Sequence, residues 1–237
     1  IIDIRAYDDY TYSHSLNVAV LSVVMGTVLG LGKKQLYDLT MGALLHDAGK
    51  MFIKKEILNK PSRLTPEEFE EIKTHSELGY RYLSDQMEIP EEARIVALHH
   101  HEQYCGKGYP AGLSGDDIHL YGRVCCVADV YDALTSDRPY RKSMLPSDAI
   151  EYIMGGYDTH FDPRIVDALT RKIAPYPVGT YVHLSNGQKA IVVKNYQENI
   201  LRPKVRIIAD GEPTSEYINL AYDMSALNIT ITGIVNE

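Results

Sequence analysis

The hydrophobic periodicity of the chain changes once, and this change limits the folds that the chain can adopt. Apolar residues recur at three- and four-residue intervals from residue 12 to about residue 173, which is the spacing of amphipathic helices. After residues 174–177 this spacing stops and short β-branched runs begin, which is typical of strands. We therefore predict a mainly α domain at residues 1–174 and a small β-rich subdomain at residues 177–237.

Local signals refine this outline. Thr65, Pro66 and Glu68 combine a capping residue, a first-turn proline and a capping-box glutamate, which together predict a helix start. Asn186-Gly187 is a strong two-residue hairpin signal between two apolar runs. We expect strands at residues 181–184, 190–194, 205–209, 217–220 and 229–235.

The composition excludes several classes of protein. The net charge is -8, from 24 basic and 32 acidic residues, which argues against a nucleic-acid polymer as partner because such domains usually have a basic face. A small anionic substrate is compatible with this net charge, since metal ions or a few local cations can attract it. The longest apolar stretch, residues 18–31, is interrupted by polar and glycine residues and is too short for a bilayer span, so we expect no membrane contact.

The cysteines and the start of the chain indicate its setting. Cys105, Cys125 and Cys126 form neither an even disulfide framework nor a Cys-x-x-Cys pair, which favours a reducing, cytoplasmic location. The chain begins at Ile1 without an initiator methionine, close to candidate site residues. We therefore expect a C-terminal portion of a longer protein.

Two motifs contain side chains that bind divalent transition metals. The first is His46-Asp47-Ala48-Gly49-Lys50, and the second is His100-His101-Glu102, which continues into Gly106-Lys107-Gly108-Tyr109-Pro110. Imidazole and carboxylate groups are common ligands of such metals. The pair of motifs therefore predicts a metal-dependent hydrolase.

Further polar residues lie on apolar helix faces. His14 is in line with Val18 and Leu21 at helical spacing, and Asp129 lies among apolar residues of a later predicted helix. Taken singly, each is more often a hydrogen-bonded core group than a ligand. Together with the isolated His75 they favour a shared metal centre, which would satisfy all these buried polar groups.

The ordered set of motifs closely resembles a known family. With residues 10–15, Lys60-Pro61 and residues 127–141, it resembles the HD-GYP subgroup of the HD phosphohydrolase superfamily, bacterial phosphodiesterases that act on cyclic di-GMP. The likeness runs from about residue 8 to residue 162. It implies an HD-type helical bundle, with the small β-rich subdomain after it, and hydrolysis of cyclic di-GMP to linear pGpG, and it leaves open whether hydrolysis proceeds onward to GMP.

The resemblance also implies two divalent metal ions, of which iron or manganese is expected, bridged by Asp47. A hydroxide between two such metals can attack a phosphodiester without a protein nucleophile. Some family members bind a third metal through a Glu four residues before the first His, where this chain has Tyr10. We expect two metals, because a phenol with a pKa of about 10 is a poor ligand at neutral pH. The implied ligands are His14, His46 and Asp129 on one ion and His75, His100 and His101 on the other.

Other residues are implied in catalysis and substrate binding. Lys50, beside the bridging Asp47, is placed to bind the scissile phosphate. Arg138 and Arg141 match family positions that contact phosphate or base, a role that suits guanidinium groups. Asp8 and Asp132 are the remaining expected substrate contacts, and Asp132 is also a reasonable support for a ligand on the same helix face. Glu102 is expected to orient a ligand His.

The loop motif Gly108-Tyr109-Pro110 leaves two interpretations open. The resemblance implies a loop that shapes the pocket edge or docks a diguanylate cyclase partner, whereas the plainer interpretation is a turn with a packed Tyr. The partners implied are a cyclic dinucleotide substrate, a diguanylate cyclase domain or a second copy of the chain, and an upstream sensor domain in the full-length protein.

Three alternatives to cyclic di-GMP hydrolysis stay open at the level of the sequence. The first is a receptor that binds the dinucleotide without turnover, for which Tyr10, and Cys105 where the family most often has Asp, leave room. The second is a phosphodiesterase for a hybrid cyclic GMP-AMP. The third is an HD enzyme acting on mononucleotides, which the Gly-Tyr-Pro loop disfavours.

Overall fold

The helices precede the strands along the chain, as the change in periodicity predicts. The computed structural model describes residues 9–137 and 143–235, with side chains from residue 12 onward. The α-helices are α1 (Asp9–Val28), α2 (Lys33–Leu45), α3 (Lys55–Leu58), α4 (Pro66–Lys73), α5 (His75–Ser84), α6 (Glu91–His99), α7 (Leu120–Thr135), α8 (Pro146–Gly155) and α9 (Pro163–Thr170). Short 3₁₀ helices lie at Ala48–Phe52, Gly115–Asp117 and Met224–Ala226, and the strands are β1 (Tyr181–Leu184), β2 (Lys189–Lys194), β3 (Lys204–Ala209), β4 (Glu212–Asn219) and β5 (Ile231–Ile234). The mainly α class is thereby confirmed.

The contacts within the chain divide it into two compact units. The first unit contains the described residues up to 143 together with 152–169, and the second contains 144–151 and the described residues from 170 onward. Residues 144–151, which include the first part of α8, thus belong to the second unit, whereas periodicity alone assigns them to the first. The boundary between residues 174 and 177 stays a prediction.

The core of the helical unit lies among its long helices. Helix α1 packs against α2 and α7, and α6 packs against α2, α5 and α7. Val18, Leu39, Val96 and Val124, one from each of α1, α2, α6 and α7, are fully buried. Polar residues on these same faces are buried with them. Within the described residues, no helix is long and apolar enough to cross a membrane.

Helix α4 begins as its capping signal predicts. The Thr65 hydroxyl accepts the Glu68 N–H at 3.3 Å, and a Glu68 carboxylate oxygen accepts the Thr65 N–H at 2.7 Å. This reciprocal cap fixes the first turn. The helix ends at Lys73, two residues before His75 begins α5.

The second unit contains a five-stranded antiparallel sheet. The strand order is β4-β3-β2-β1-β5, and Val182, Ala190, Val205 and Leu220 form its buried face with neighbouring apolar residues. The predicted hairpin between β1 and β2 is present, but its loop has three residues, 185–187, rather than two. The Leu184 carbonyl accepts the Gly187 N–H and the Leu184 N–H donates to Gln188. Among these loop residues only Gly187 has a positive φ, of 86°, whereas a two-residue type I′ turn requires two.

Strand β4 differs most from expectation, because it spans Glu212–Asn219 instead of residues 217–220. It is an edge strand, and its first half is polar and mostly exposed. Edge strands need not bury either face, so apolar alternation is a weak signal for them. Strand β5, predicted at 229–235, is confined to Ile231–Ile234.

Gly49 lets the 3₁₀ turn after Asp47 lie directly against α5. A Cβ atom at Gly49 would lie 1.9 Å from the His75 carbonyl oxygen and 2.6 Å from the Gly79 nitrogen. No L side chain fits at such distances. The close approach of these two backbones brings Asp47 and His75 together, although 28 positions separate them in the chain.

We expect Gly49→Ala to lower the free energy of unfolding by about 1–3 kcal/mol, the usual cost of overpacking. Gly79→Ala is the matched control, since its Cβ would lie 3.0 Å from the Gly49 nitrogen and a helical alanine gains about 1 kcal/mol over glycine. Denaturant unfolding of both variants checks this. We expect Gly79→Ala to lose less stability than Gly49→Ala. A loss of less than about 1 kcal/mol in Gly49→Ala would show that the close contact at Gly49 can relax.

Candidate functional site

Three predicted ligands meet where α1, the end of α2 and α7 converge. They are His14, His46 and Asp129, and one potential ligand atom from each lies within 4.8 Å of the others. His14 Nε2 is 3.1 Å from Asp129 Oδ1. The three side chains thus form one compact group, called here the first cluster.

Asp132 orients His14 within this cluster. Its Oδ2 lies 2.7 Å from His14 Nδ1, while Asn17 and Ser136 donate to Oδ1 at 2.8 and 3.1 Å. A carboxylate only accepts, so Nδ1 is the donor to Asp132, and the other ring nitrogen, Nε2, faces Asp129. This geometry fits the predicted role of Asp132 as the residue that supports a ligand, here His14. A direct substrate contact does not, because Asp132 is buried and its oxygens are bound within the protein.

Four more predicted ligands form the second cluster. They are Asp47, His75, His100 and His101, whose potential ligand atoms also lie within 4.8 Å of one another. Asp47 and His75 are buried on either side of the Gly49 contact, and His100 caps the end of α6. His75 Nε2 and His100 Nε2 are 3.3 Å apart.

Backbone carbonyls orient three of the imidazoles. His46 Nδ1 is 2.7 Å from the Ala43 oxygen, His75 Nδ1 is 2.6 Å from the Ile72 oxygen, and His100 Nδ1 is 3.0 Å from the Ala97 oxygen. In each case the carbonyl lies three residues earlier. Because a carbonyl only accepts, each Nδ1 is the donor, and each Nε2 lone pair faces the clusters.

Asp47 lies between the two clusters. Its Oδ1 is 3.5 Å from His75 Nε2 and 3.8 Å from His100 Nε2. Its Oδ2 is 3.3 Å from His46 Nε2, on the side of the first cluster. One carboxylate therefore faces both groups of ligands with different oxygens, which is the arrangement expected of a bridging ligand.

Two buried atoms indicate that these residues fit a metal. Among the described residues, His46 Nε2 and Asp47 Oδ1 have no hydrogen-bond partner, and such buried groups cost about 1–3 kcal/mol each when left unsatisfied. A divalent cation would satisfy both. The donors are nitrogen and oxygen without thiolate, a set that suits iron, manganese or zinc.

The electrostatics of the clusters favour metal binding near neutral pH. Burial lowers the pKa values of His100 and His101 well below the usual range and also lowers that of His75. Burial alone would raise the pKa of Asp47, but Lys50 and His46 outweigh it and hold this pKa well below its ordinary value. Neutral imidazoles and charged carboxylates are the forms that ligate metals.

His14 has the opposite tendency. Burial alone would lower its pKa, but hydrogen bonds to Asp129 and Asp132 outweigh this effect and raise the pKa to about 9. A proton on this side chain is therefore stabilised in the absence of a competing cation.

Lys50 lies beside the bridging carboxylate. Its ammonium is 2.5 Å from Asp47 Oδ2, and its side chain is 30% exposed. The 3₁₀ turn that begins at Ala48 directs Lys50 back to Asp47, three residues earlier. The pair therefore places a partly exposed cation at the edge of the clusters.

Four predicted residues cannot be located. Asp8, Arg138, Arg141 and the side chain of Tyr10 lie outside the described residues, so their roles stay predictions.

Comparison with known families agrees with this geometry. Residues 5–165 match the HD domain family, which is more than half of the chain. The chain belongs to the HD domain family. A cyclic di-GMP phosphodiesterase of Pseudomonas aeruginosa is 38% identical over 207 residues, 87% of this chain and 50% of the relative. A cyclic di-GMP phosphodiesterase response regulator of Xanthomonas campestris is 43% identical over 155 residues, 64% of this chain and 41% of the relative.

A solved structure is similar to the fold of this HD domain. A protein described as HDG"Y"P from Bdellovibrio bacteriovorus matches with a TM-score of 0.56 and 22% identity, over 67% of this chain and 51% of that chain. The HD-type helical fold is thereby confirmed, as is the predicted family. The chain spans 50% and 41% of the lengths of the Pseudomonas and Xanthomonas relatives.

The Gly-Tyr-Pro loop of this HD domain packs onto the second cluster. The Tyr109 ring stacks on His101 with centroids 4.7 Å apart and planes at 28°, and the Tyr109 N–H donates to the His101 carbonyl at 3.2 Å. A Cβ atom at Gly108 would lie 2.4 Å from the Glu102 Cα, so only glycine allows this approach. Tyr109 is packed, as the interpretation of a simple turn predicts. It also borders the second cluster, as the interpretation of a loop at the pocket edge predicts.

Glu102 has a different role from the one expected. It is buried, but its carboxylate accepts backbone N–H groups from Ala111, Gly112 and Leu113 at 2.8, 3.1 and 3.0 Å rather than orienting a His. Three backbone donors converge on one carboxylate because the loop folds back over it. Glu102 therefore fixes the loop that carries Tyr109.

A second anchor holds the far end of this loop. Arg123, on α7 and buried, donates to Asp116 at 2.6 Å and to Asp162 at 2.9 Å. Arg164 donates to the same two carboxylates at 2.8 and 2.9 Å. Charged groups thus fix the loop at residues 111–113 and again at Asp116.

Several residues that support the ligands are not predicted by any motif of the sequence. Asn17 and Ser136, which donate to Asp132, were not identified, although Asn17 is three residues after His14 and Ser136 four residues after Asp132. Such spacing places side chains on one helix face. His99 is buried, and its Nδ1 accepts the His119 N–H at 3.1 Å, which leaves it outside both clusters.

We expect Glu102→Ala to release the loop, because three backbone N–H groups would lose their acceptor. Hydrogen exchange at Ala111, Gly112 and Leu113 should then be faster by at least about tenfold, which corresponds to about 1.4 kcal/mol. Glu102→Gln keeps one acceptor oxygen and should show a smaller effect. Unchanged protection in Glu102→Ala would mean that the loop is held by other contacts.

Proposed function

We propose that this HD domain is a metal-dependent phosphodiesterase that hydrolyses cyclic di-GMP to linear pGpG and onward to GMP. The observation that carries the proposal is the Asp47 carboxylate, which faces both clusters and has a buried oxygen without a hydrogen-bond partner among the described residues. The names of relatives with 38% and 43% identity support the substrate. The intact set of seven candidate ligands favours turnover over a receptor role.

The proposed ligands divide as the two clusters do. His14, His46 and Asp129 would hold one ion, and His75, His100 and His101 the other, with Asp47 shared. When bound, a divalent pair acidifies a water molecule for attack on phosphorus and neutralises charge on the phosphate. We favour iron or manganese because of the nitrogen and oxygen donors, and two ions rather than three because Tyr10 replaces a Glu.

The chain's own groups prepare the site for this reaction. Asp132 fixes His14, and the backbone carbonyls fix His46, His75 and His100. These contacts exist before substrate binds, so little reorganisation accompanies the reaction. Lys50, with three donor hydrogens on its ammonium, is assigned to a non-bridging oxygen of the scissile phosphate.

Further substrate contacts are assigned to residues outside the described ranges. Arg138 and Arg141 would bind phosphate or base, since guanidinium groups make paired hydrogen bonds to both, and Asp8 is assigned to the same surface. Asp132 acts on the substrate only through His14. As further partners we infer an upstream sensor domain and either a diguanylate cyclase domain or a second copy of the chain. We also infer a cytoplasmic location, which the unpaired cysteines support.

A direct test uses protein purified without oxygen and loaded with iron or with manganese. The metal content is measured, and the protein is incubated with cyclic di-GMP, a hybrid cyclic GMP-AMP and a panel of mononucleotides. We expect cyclic di-GMP to be consumed and pGpG to appear first, as followed by chromatography. Removal of the metal by a chelator should abolish turnover, and its return should restore it.

Each other outcome rejects a part of the proposal. Preference for the hybrid would change the substrate but keep the reaction class. Tight binding of cyclic di-GMP without turnover by fully loaded protein would establish the receptor alternative. Turnover of mononucleotides alone would exclude a cyclic dinucleotide substrate.

Two carboxylate variants test the bridging role. We expect Asp47→Ala to lose both ions and all detectable hydrolysis, because Asp47 faces both clusters. Asp129→Ala is the matched control, since Asp129 belongs to the first cluster alone, and it should retain up to one ion per chain. Elemental analysis and turnover measure both effects. A full metal complement in Asp47→Ala would show that Asp47 is not the bridge.

A further inference from the structure

A lysine and two aromatic rings extend outward from the second cluster. Tyr109 stacks on His101, and the Lys73 ammonium lies 5.5 Å from the centroid of the Tyr109 ring. The same ammonium lies 4.9 Å from the centroid of Phe69, which is 45% exposed. One cation is thus held between the ring that covers a candidate metal ligand and a ring at the surface.

Several contacts fix this cation. Lys73 is the last residue of α4, one turn after Phe69, and its Nζ lies 2.6 Å from Glu70 Oε1. Its side chain is only 28% exposed, whereas Glu70 is 69% exposed. An ammonium over aromatic faces is attracted by their quadrupoles. Lys73 therefore has a defined position instead of the free movement of most surface lysines.

The position matters because of the chemistry of a cyclic dinucleotide. Such a molecule has two phosphodiester groups on opposite sides of one ring, so only one of them can lie at the metals. The other lies beyond the ligands and needs a separate cation. The net charge of the chain is -8, so its overall field repels this second phosphate, and a local cation has to bind it.

We propose that Lys73, placed one ring beyond His101, binds the second phosphate of the cyclic dinucleotide and so selects for substrates with two phosphodiester groups. This assignment rests on the proposed function. Lys50 and Lys73 then divide the work, since Lys50 beside Asp47 binds the phosphate that is cleaved and Lys73 binds the one that is not.

The test compares two substrates that differ in this second phosphate. Cyclic di-GMP has it, whereas bis(p-nitrophenyl) phosphate has a single phosphodiester. For Lys73→Met we expect KM for cyclic di-GMP to rise about tenfold, the loss expected for one charge-assisted contact, with kcat changed by less than about twofold. Both parameters for bis(p-nitrophenyl) phosphate, and the metal content, should stay at wild-type values.

Two further variants serve as controls. Lys73→Arg keeps the charge and should restore most of the affinity for cyclic di-GMP. Lys54→Met removes a neighbouring exposed lysine, which pairs with Glu71, and should leave both substrates unaffected. Equal losses on both substrates in Lys73→Met would mean that Lys73 acts through the Tyr109 loop, and an unchanged KM for cyclic di-GMP would also overturn the assignment.

Failure of the proposed function gives a different pattern. Wild-type protein would then cleave bis(p-nitrophenyl) phosphate but neither bind nor cleave any cyclic dinucleotide. That result rejects the substrate and the Lys73 assignment together. A loss confined to Lys73→Met while the wild type is active concerns Lys73 alone.

Discussion

The close approach of two backbones at Gly49 is the constraint on which the candidate site depends. The turn after Asp47 and the first turn of α5 meet at distances that exclude any side chain. This contact places the Asp47 carboxylate beside His75, and the ends of α2 and α6 bring His46 and His100 to the same point. The burial that follows lowers the pKa values of His75, His100 and His101 and leaves two polar atoms unsatisfied. Metal affinity is thus a consequence of how tightly the helices pack.

The sequence predicted the elements that have a regular hydrophobic period and the residues that belong to an ordered motif. The helical domain, the cap at Thr65 and the positions of most strands follow from periodicity and from capping chemistry, which are local. The seven ligands came from the order of motifs along the chain, and the structure brings them into two compact groups. The spacing alone could not divide them between two clusters, because that division depends on which helices converge.

The differences from expectation arise where long-range contacts decide. Glu102 was expected beside a His, but the loop folds back and presents three N–H groups to it. No local sequence pattern predicts that the loop folds back onto Glu102. Strand β4 began five residues earlier than expected, because an edge strand needs no apolar alternation. Lys73 was not singled out, since its position over Tyr109 depends on two segments more than 30 residues apart in the chain.

The imidazoles are oriented in two different ways, and this difference bears on how such a site changes during evolution. His46, His75 and His100 are oriented by backbone carbonyls three residues earlier in the chain, which no side-chain substitution can remove. His14 is aimed by Asp132, which single substitutions can alter. The electron density that each imidazole offers to a metal follows the strength of this hydrogen bond. Substitutions at Asp132 can therefore change the orientation of His14, while the orientation of His46, His75 and His100 stays the same. Related chains can thus diverge in metal preference at His14.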